Sequence, residues 1–119
     1  MPTPRTTANI VTGIFCVMAA PGAVMDIIQP EILVTTMAAL SLPLYLPVLI
    51  GIWKILGIVA LAAPVPARIR EWAYAGFFFD LTGAAWCHGA SGDWAGVAPP
   101  LVILAVGMAS MVLRDRAAA

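Results

Sequence analysis

The chain alternates long apolar stretches with short breaks that carry prolines or charges. Four stretches could form helices that cross a membrane, and they cover about residues 8–28, 43–64, 71–91 and 97–113. A bilayer core about 30 Å thick requires roughly 20 mostly apolar residues in a spanning helix. The pattern therefore predicts an all-α fold, a membrane-embedded four-helix bundle that forms a single four-span domain over residues 1–119.

The segment between the first two spans is apolar but short. Residues 31–42 lie between Pro30 and Pro43 and are too few to cross a bilayer. We expect them to form a short helix or loop that lies in the outer membrane interface.

The first span has an alternative interpretation as a secretory signal peptide. Arg5 is followed by an apolar run and by small residues at 19–23, as in cleaved leaders. The apolar run continues past these small residues to Ile28, which favours a membrane span.

Composition supports the membrane class. Of the 119 residues, 62% are hydrophobic and 10% are charged, and the mean hydropathy is +0.99, outside the usual balance of soluble domains. Four spans leave no room for a soluble domain or a nucleic-acid module. The formal net charge is zero, so electrostatics give no argument for a nucleic-acid partner.

The arginines predict the orientation. With four crossings, the side that carries both termini also carries all of them, namely Arg5, Arg68, Arg70, Arg114 and Arg116. The opposite side has acidic residues and no Lys or Arg. By the positive-inside rule, both termini are then cytoplasmic.

Two opposite charges fall inside the predicted spans. Lys54, the only lysine, lies ten residues before Pro64, and Asp80 lies nine residues after Glu71. At about 1.5 Å per residue, both are roughly 14–15 Å from the inner boundary. Because exposure to lipid is costly for either charge, we expect the two side chains to face inward and meet. A purely structural ion pair that fixes the register of two helices is the alternative to a functional one.

Further polar candidates lie nearer the outer surface. Asp26 and His88 are each within three residues of the outer end of a span, so they could meet. Cys16 and Cys87 are candidate reactive thiols, with inert apolar packing as the alternative. Their depths differ by about 12 Å, which argues against a disulfide. With one histidine and no Cys-x-x-Cys-His or His-x₃-His pattern, we expect no metal or haem site.

Several of these segments carry a resemblance to a known family. The series GIWKILGIVALAAP, a short basic loop, REWAYAGFFFDLTGAAWCHGASGD and a last span ending in Arg-x-Arg resembles the DoxX-like family of small bacterial membrane proteins. The resemblance covers nearly the whole chain and implies a multi-pass four-helix bundle in the bacterial inner membrane. It matches the family's characteristic polar positions at Lys54, Glu71, Asp80, His88 and Asp93.

The chain departs from the family pattern at two positions. Asp26 stands where relatives tend to carry a lysine, and Cys87 stands where a serine is usual.

The resemblance also suggests a class of activity. The wider DoxX group includes proteins that resemble a subunit of a thiosulfate:quinone oxidoreductase. The leading hypothesis is an accessory or subunit of a membrane redox system, whose intramembrane cleft admits a quinone or a similar apolar molecule; a quinone is the candidate cofactor. Its partners would be the lipid bilayer, subunits of a membrane oxidoreductase or further copies of the same chain. A non-catalytic assembly protein, and an enzyme or permease for a small apolar molecule, are the alternatives, so catalysis itself stays open.

Overall fold

The computed structural model describes residues 3–118, and over that range the chain is helical without a strand. The all-α fold class is therefore confirmed. Five α-helices follow one another, with one 3-10 turn at Ala95–Val97, and they are α1 (Pro4–Ile28), α2 (Glu31–Ala39), α3 (Tyr45–Ala62), α4 (Ala67–Ala90) and α5 (Ala98–Ala118). The short helix expected within residues 31–42 is α2.

Local chemistry explains where the helices begin and end. Thr3 caps α1, since its hydroxyl oxygen accepts the N–H of Thr6 at 3.1 Å. Pro64 follows Ala63, the residue that caps α3, and prevents the helix from continuing, and Pro66 precedes the first residue of α4. Pro99 lies in the first turn of α5, where a missing N–H costs little.

Three segments are long and apolar enough to cross a membrane. They are α1, α3 and the segment Ala95–Ala118, which includes α5. This finding agrees with the membrane class predicted from the composition. The helix α4 has 24 residues and carries Arg68, Arg70, Glu71 and Asp80. A fourth crossing through α4 stays a prediction.

The four long helices pack in alternating directions. The helix α1 packs against α3 and α5, and α4 packs against the same two helices. Asp26, near the end of α1, lies against Gly51 in the first half of α3, so these two helices are antiparallel. We call one end of the bundle the terminus side, and it contains Pro4, Ala118 and the 63–66 connection. The α2 side contains α2 and the turn at residues 91–97.

The core is centred on two aromatic rings. Phe15 of α1 and Phe77 of α4 meet edge to face, with ring centroids 4.9 Å apart. Each ring also lies against a glycine, because a β-carbon on Gly107 would be 2.7 Å from Phe15 and one on Gly57 would be 2.7 Å from Phe77. The absent side chains thus let α5 and α3 approach the rings closely. Phe77 is one helical turn from Asp80, so this core lies just on the terminus side of the charged residues.

Candidate intramembrane polar site

Lys54 lies in the middle of α3 and contacts two carboxylates. Its Nζ donates a hydrogen bond to Asp26 Oδ2 at 2.9 Å, and it lies 3.7 Å from Asp80 Oδ2. All three side chains are largely buried, with exposed fractions of 12–20%. Lys54 and Asp80 therefore approach each other as expected, but Asp26 is the nearer partner. We call these three residues the ion cluster.

Small residues let Lys54 reach Asp26. A β-carbon on Gly51 would lie 3.0 Å from Asp26 Cβ, so α1 and α3 cross closely at that level. A β-carbon on Gly22 would lie 3.5 Å from Lys54 Nζ. The Lys54 ammonium therefore lies against α1 where Gly22 has no side chain, which lets it reach the Asp26 carboxylate.

Asp26 and His88 do not pair with each other, although their positions near the outer ends of two predicted spans allowed it. Asp26 bonds Lys54, whereas His88 bonds Asp93. Gly51, six residues into α3, is level with Asp26, which is only two residues before the end of α1. The helix α3 therefore extends about 6 Å farther towards the α2 side than α1 does. This offset places Asp26 at the depth that the lysine side chain reaches.

The ion cluster has unused hydrogen-bonding capacity. Asp80 Oδ2 is buried and accepts no hydrogen bond from any described residue. The Lys54 ammonium has three N–H donors, and the described part of the chain shows one of them bonded, to Asp26. Two carboxylates face one ammonium, so the ionised cluster carries one excess negative charge. A donor and an acceptor thus remain available to a ligand.

Two cavities meet at the ion cluster. The first is a groove of about 340 Å³ between α3 and α4, which we call the α3–α4 groove. Its wall combines Lys54 and Asp80 with aromatic and small residues that include Trp53, Gly57, Trp72 and Gly76. Trp53 and Trp72 are exposed on the outer surface of the helices. The groove therefore opens sideways, away from the centre of the helix bundle.

The second cavity lies on the α2 side of the ion cluster and measures about 310 Å³. We call it the α2-side cavity. Apolar residues of α2 and α3, such as Met37 and Leu46, cover it. Its polar lining comprises Asp26, Lys54, Asp80, Cys87 and His88. Lys54 and Asp80 line both cavities and so separate one from the other.

His88 and Asp93 form a hydrogen-bonded pair at the α2-side end of α4. His88 Nδ1 lies 2.9 Å from Asp93 Oδ2, and Asp93 Oδ1 accepts the N–H of Gly96 at 3.1 Å. The hydrogen bond from His88, followed by that from Gly96, lowers the pKa of Asp93 below its usual value. An ionised Asp93 accepts a hydrogen, so Nδ1 is the nitrogen that carries the proton. The Asp93 side chain is 50% exposed and reaches solvent.

The remaining candidates lie apart from each other. Cys16 and Cys87 are both free thiols. Cys16 packs against the aromatic core, whereas Cys87 lines the α2-side cavity. Glu71 is exposed near the start of α4. Within residues 3–118, no three His, Cys, Asp or Glu side chains are grouped so that they could hold a metal ion.

A buried hydroxyl network on the terminus side was missed at the sequence level. Thr12 donates to the Ala8 carbonyl at 2.8 Å, so its oxygen accepts from Ser110, which is 2.6 Å away. Ser110 then has no further hydrogen, and Tyr74 must be the donor in their 2.7 Å contact. Serine and threonine in apolar helices can also bond their own backbone, so the sequence carries no signal of this pairing.

Arg114 completes this network. An arginine at a helix end can extend to a membrane interface, but the Arg114 Nη1 donates to the Tyr74 hydroxyl at 3.2 Å, and its Nη2 donates to the Leu61 carbonyl at 2.8 Å. Leu61 lies in the last turn of α3, where carbonyls lack helical partners. The network therefore ties all four long helices together.

Comparisons with known proteins agree with the resemblance carried by the sequence motifs. Neither the curated proteins nor the solved structures contain a match to this chain. The model of the DoxX-like family matches residues 10–110, which is most of the chain. The protein therefore belongs to the DoxX-like family.

Proposed function

We propose that the protein binds a quinone in the α3–α4 groove and serves as an accessory or subunit of a membrane redox system. In this proposal α4 is the fourth membrane span, and the long helices form a four-helix bundle with both termini in the cytoplasm. The five arginines on the terminus side support that orientation. The location would be the bacterial inner membrane, with subunits of a membrane oxidoreductase as partners.

The observation that carries the proposal is the pairing of an unused donor with an unused acceptor. Lys54 Nζ and Asp80 Oδ2 are 3.7 Å apart, and Asp80 Oδ2 has no hydrogen-bond partner among the described residues. A quinone carbonyl accepts a hydrogen bond from an ammonium, and a quinol hydroxyl donates one to a carboxylate. The same two side chains can therefore bind both forms of a quinone.

The groove beside this pair suits the rest of such a molecule. Its volume of about 340 Å³ falls in the range of roughly 300–1,000 Å³ that is usual for small-ligand pockets. Its wall is apolar apart from Lys54 and Asp80, and it carries the indoles of Trp53 and Trp72. An aromatic ring can stack on these indoles, while an isoprenoid tail extends into the lipid.

Tryptophan fluorescence tests the proposal directly. The purified protein, in mild detergent, would be titrated with decylubiquinone, and quenching should saturate. Replacing either Trp53 or Trp72 by phenylalanine should remove a large share of the quenching, and replacing both should remove most of it. Trp86→Phe is the matched control, because Trp86 is 78% exposed and does not line the groove.

A variant of the ion cluster gives the second arm of the experiment. Lys54→Gln should weaken decylubiquinone binding about tenfold or more, since it removes a charged donor to the carbonyl. Circular dichroism would establish that the variant is folded. Quenching that never saturates, or that is equal in the Trp53→Phe, Trp72→Phe and Trp86→Phe variants, would show that the groove binds no quinone.

A further inference from the structure

The α2-side cavity connects the ion cluster with the exposed end of α4. Asp80 and His88 both line it, and they are separated by about 12 Å along the helix axis. A direct hydrogen bond cannot span that distance, but water can bridge it. A cavity of about 310 Å³ holds roughly ten waters at 30 Å³ each. Its charged and hydrogen-bonding lining gives those waters the polar partners that they require.

The terminus side of the ion cluster offers no equivalent polar route within residues 3–118. The α3–α4 groove extends that way, but its wall is apolar apart from the ion cluster and gives water few polar partners. Between the helices, Phe15, Leu61 and Phe77 are at most 4% exposed and fill the core. The hydroxyl network near them begins at the Arg114 guanidinium, which donates hydrogen bonds and has no acceptor atom. It ends at the Ala8 carbonyl, which has no proton to give. All hydrogen bonds of that network run in the same donor-to-acceptor direction, so it cannot transfer a proton.

From this asymmetry we infer that the α2-side cavity is hydrated and that the ion cluster exchanges protons with water on the α2 side alone, by way of His88 and Asp93. The inference deepens the proposed function and rests on it for the source of the protons. A proton on the Asp80 carboxyl passes through cavity water to His88 Nε2. His88 in turn releases its Nδ1 proton to Asp93 and so to solvent. Each group thus returns to its starting charge, and one proton leaves. Exchange of the ring proton with water then restores the Nδ1–H tautomer of His88 before the next transfer.

The residues around His88 in the cavity are compatible with its role as a proton relay. Met37 of α2 and Leu40, which follows that helix, contribute apolar cover. The ionisable neighbours are Asp26 of α1, Lys54 of α3, Asp80 and Cys87 of α4 itself and Asp93 of the following turn. Asp93 fixes the ring through Nδ1, which leaves Nε2 as the nitrogen available to accept a proton.

The natural cysteines test hydration of the cavity without any quinone. In proteoliposomes of known orientation, a charged, membrane-impermeant methanethiosulfonate reagent would be added on one side at a time. Cys87 should be labelled from the α2 side, whereas Cys16, packed against the core, should stay unlabelled from either side. A Gly76→Cys variant, which places a thiol in the α3–α4 groove, should stay unlabelled from the terminus side. Failure to label Cys87, or labelling at position 76 from the terminus side, overturns the inference.

The relay through His88 has its own readout. With the pH changed on one side at a time, decylubiquinone affinity should follow the pH of the α2 side. A His88→Gln variant should lose at least half of that dependence and keep its affinity at the reference pH. An equal response to both sides, or an unchanged response in His88→Gln, contradicts the relay. Absence of decylubiquinone binding refutes the proposed function instead, and the labelling result then decides the inference on its own.

Discussion

Lys54 donates its hydrogen bond to Asp26 and not to Asp80, although Asp80 lies on the helix that follows α3 directly. The Nζ–Oδ2 distances are 2.9 Å to Asp26 and 3.7 Å to Asp80. The two carboxylates therefore differ in role. Asp26 neutralises the ammonium, whereas Asp80 keeps a buried oxygen without a partner. A ligand gains most by meeting Asp80.

This difference predicts unequal effects of removing the two charges. Asp26→Asn should lower the free energy of unfolding by about 1–3 kcal/mol, because it weakens a charge-assisted hydrogen bond in a largely buried place. Asp80→Asn should cost less, because Asp80 Oδ2 accepts no hydrogen bond and Asp26 remains bonded to the ammonium. Unfolding in detergent, followed by circular dichroism, measures both. A larger loss in Asp80→Asn would contradict the assigned roles.

The hydroxyl network predicts a stability role for Ser110. Ser110→Ala should lower the free energy of unfolding by about 1–3 kcal/mol, because it leaves the buried hydroxyls of Thr12 and Tyr74 without their partner. Ser91→Ala is a matched control, since among the described residues the exposed Ser91 hydroxyl bonds only the His88 carbonyl. It should change stability by less than about 0.5 kcal/mol. Equal losses in the two variants would mean that the network contributes nothing.

The positions of the helices could be predicted because apolar length and proline breaks determine them. The approach of Lys54 and Asp80 was also predictable, since the short 63–66 connection gives α3 and α4 a common reference for depth. The depth of Asp26 relative to Lys54 cannot be counted from a short connection in this way. The connection 29–44 contains a helix of its own, so the offset between α1 and α3 cannot be counted along the chain.

The hydroxyl network shows a second limit of the sequence. Thr12 and Ser110 are 98 residues apart, and each lies in an apolar helix where a lone hydroxyl is unremarkable. Whether they meet depends on how α1 and α5 rotate about their axes. Glycines such as Gly107 determine that rotation by admitting an aromatic ring, and a glycine is not specific for one partner.

The two glycines against the aromatic core predict overpacking when they are enlarged. Gly57→Ala and Gly107→Ala should each lower the free energy of unfolding by about 1–3 kcal/mol, because the new methyl group would overlap a buried ring. Gly13→Ala is the control, since a β-carbon there meets nothing within 4 Å. It should be neutral or stabilising by up to about 1 kcal/mol, as expected in a helix interior. Thermal unfolding of the three variants gives the comparison, and equal effects would refute the packing.

The hydrogen bonds of Asp93 predict that the turn following α4 changes at acid pH, when this carboxylate is protonated. Hydrogen bonds from His88 and Gly96 lower the pKa of Asp93 below its usual value of 3.8. A lowered pKa in the folded state stabilises the fold above pH 3.8, and that contribution is lost as the pH falls through the folded pKa. The Gly96 amide proton, followed by NMR, should therefore shift with a midpoint below pH 3.8, because protonation of Asp93 weakens its hydrogen bond. Asp93→Asn should abolish this transition. A midpoint at or above 3.8 would mean that the bonds to Asp93 do not favour its ionised form.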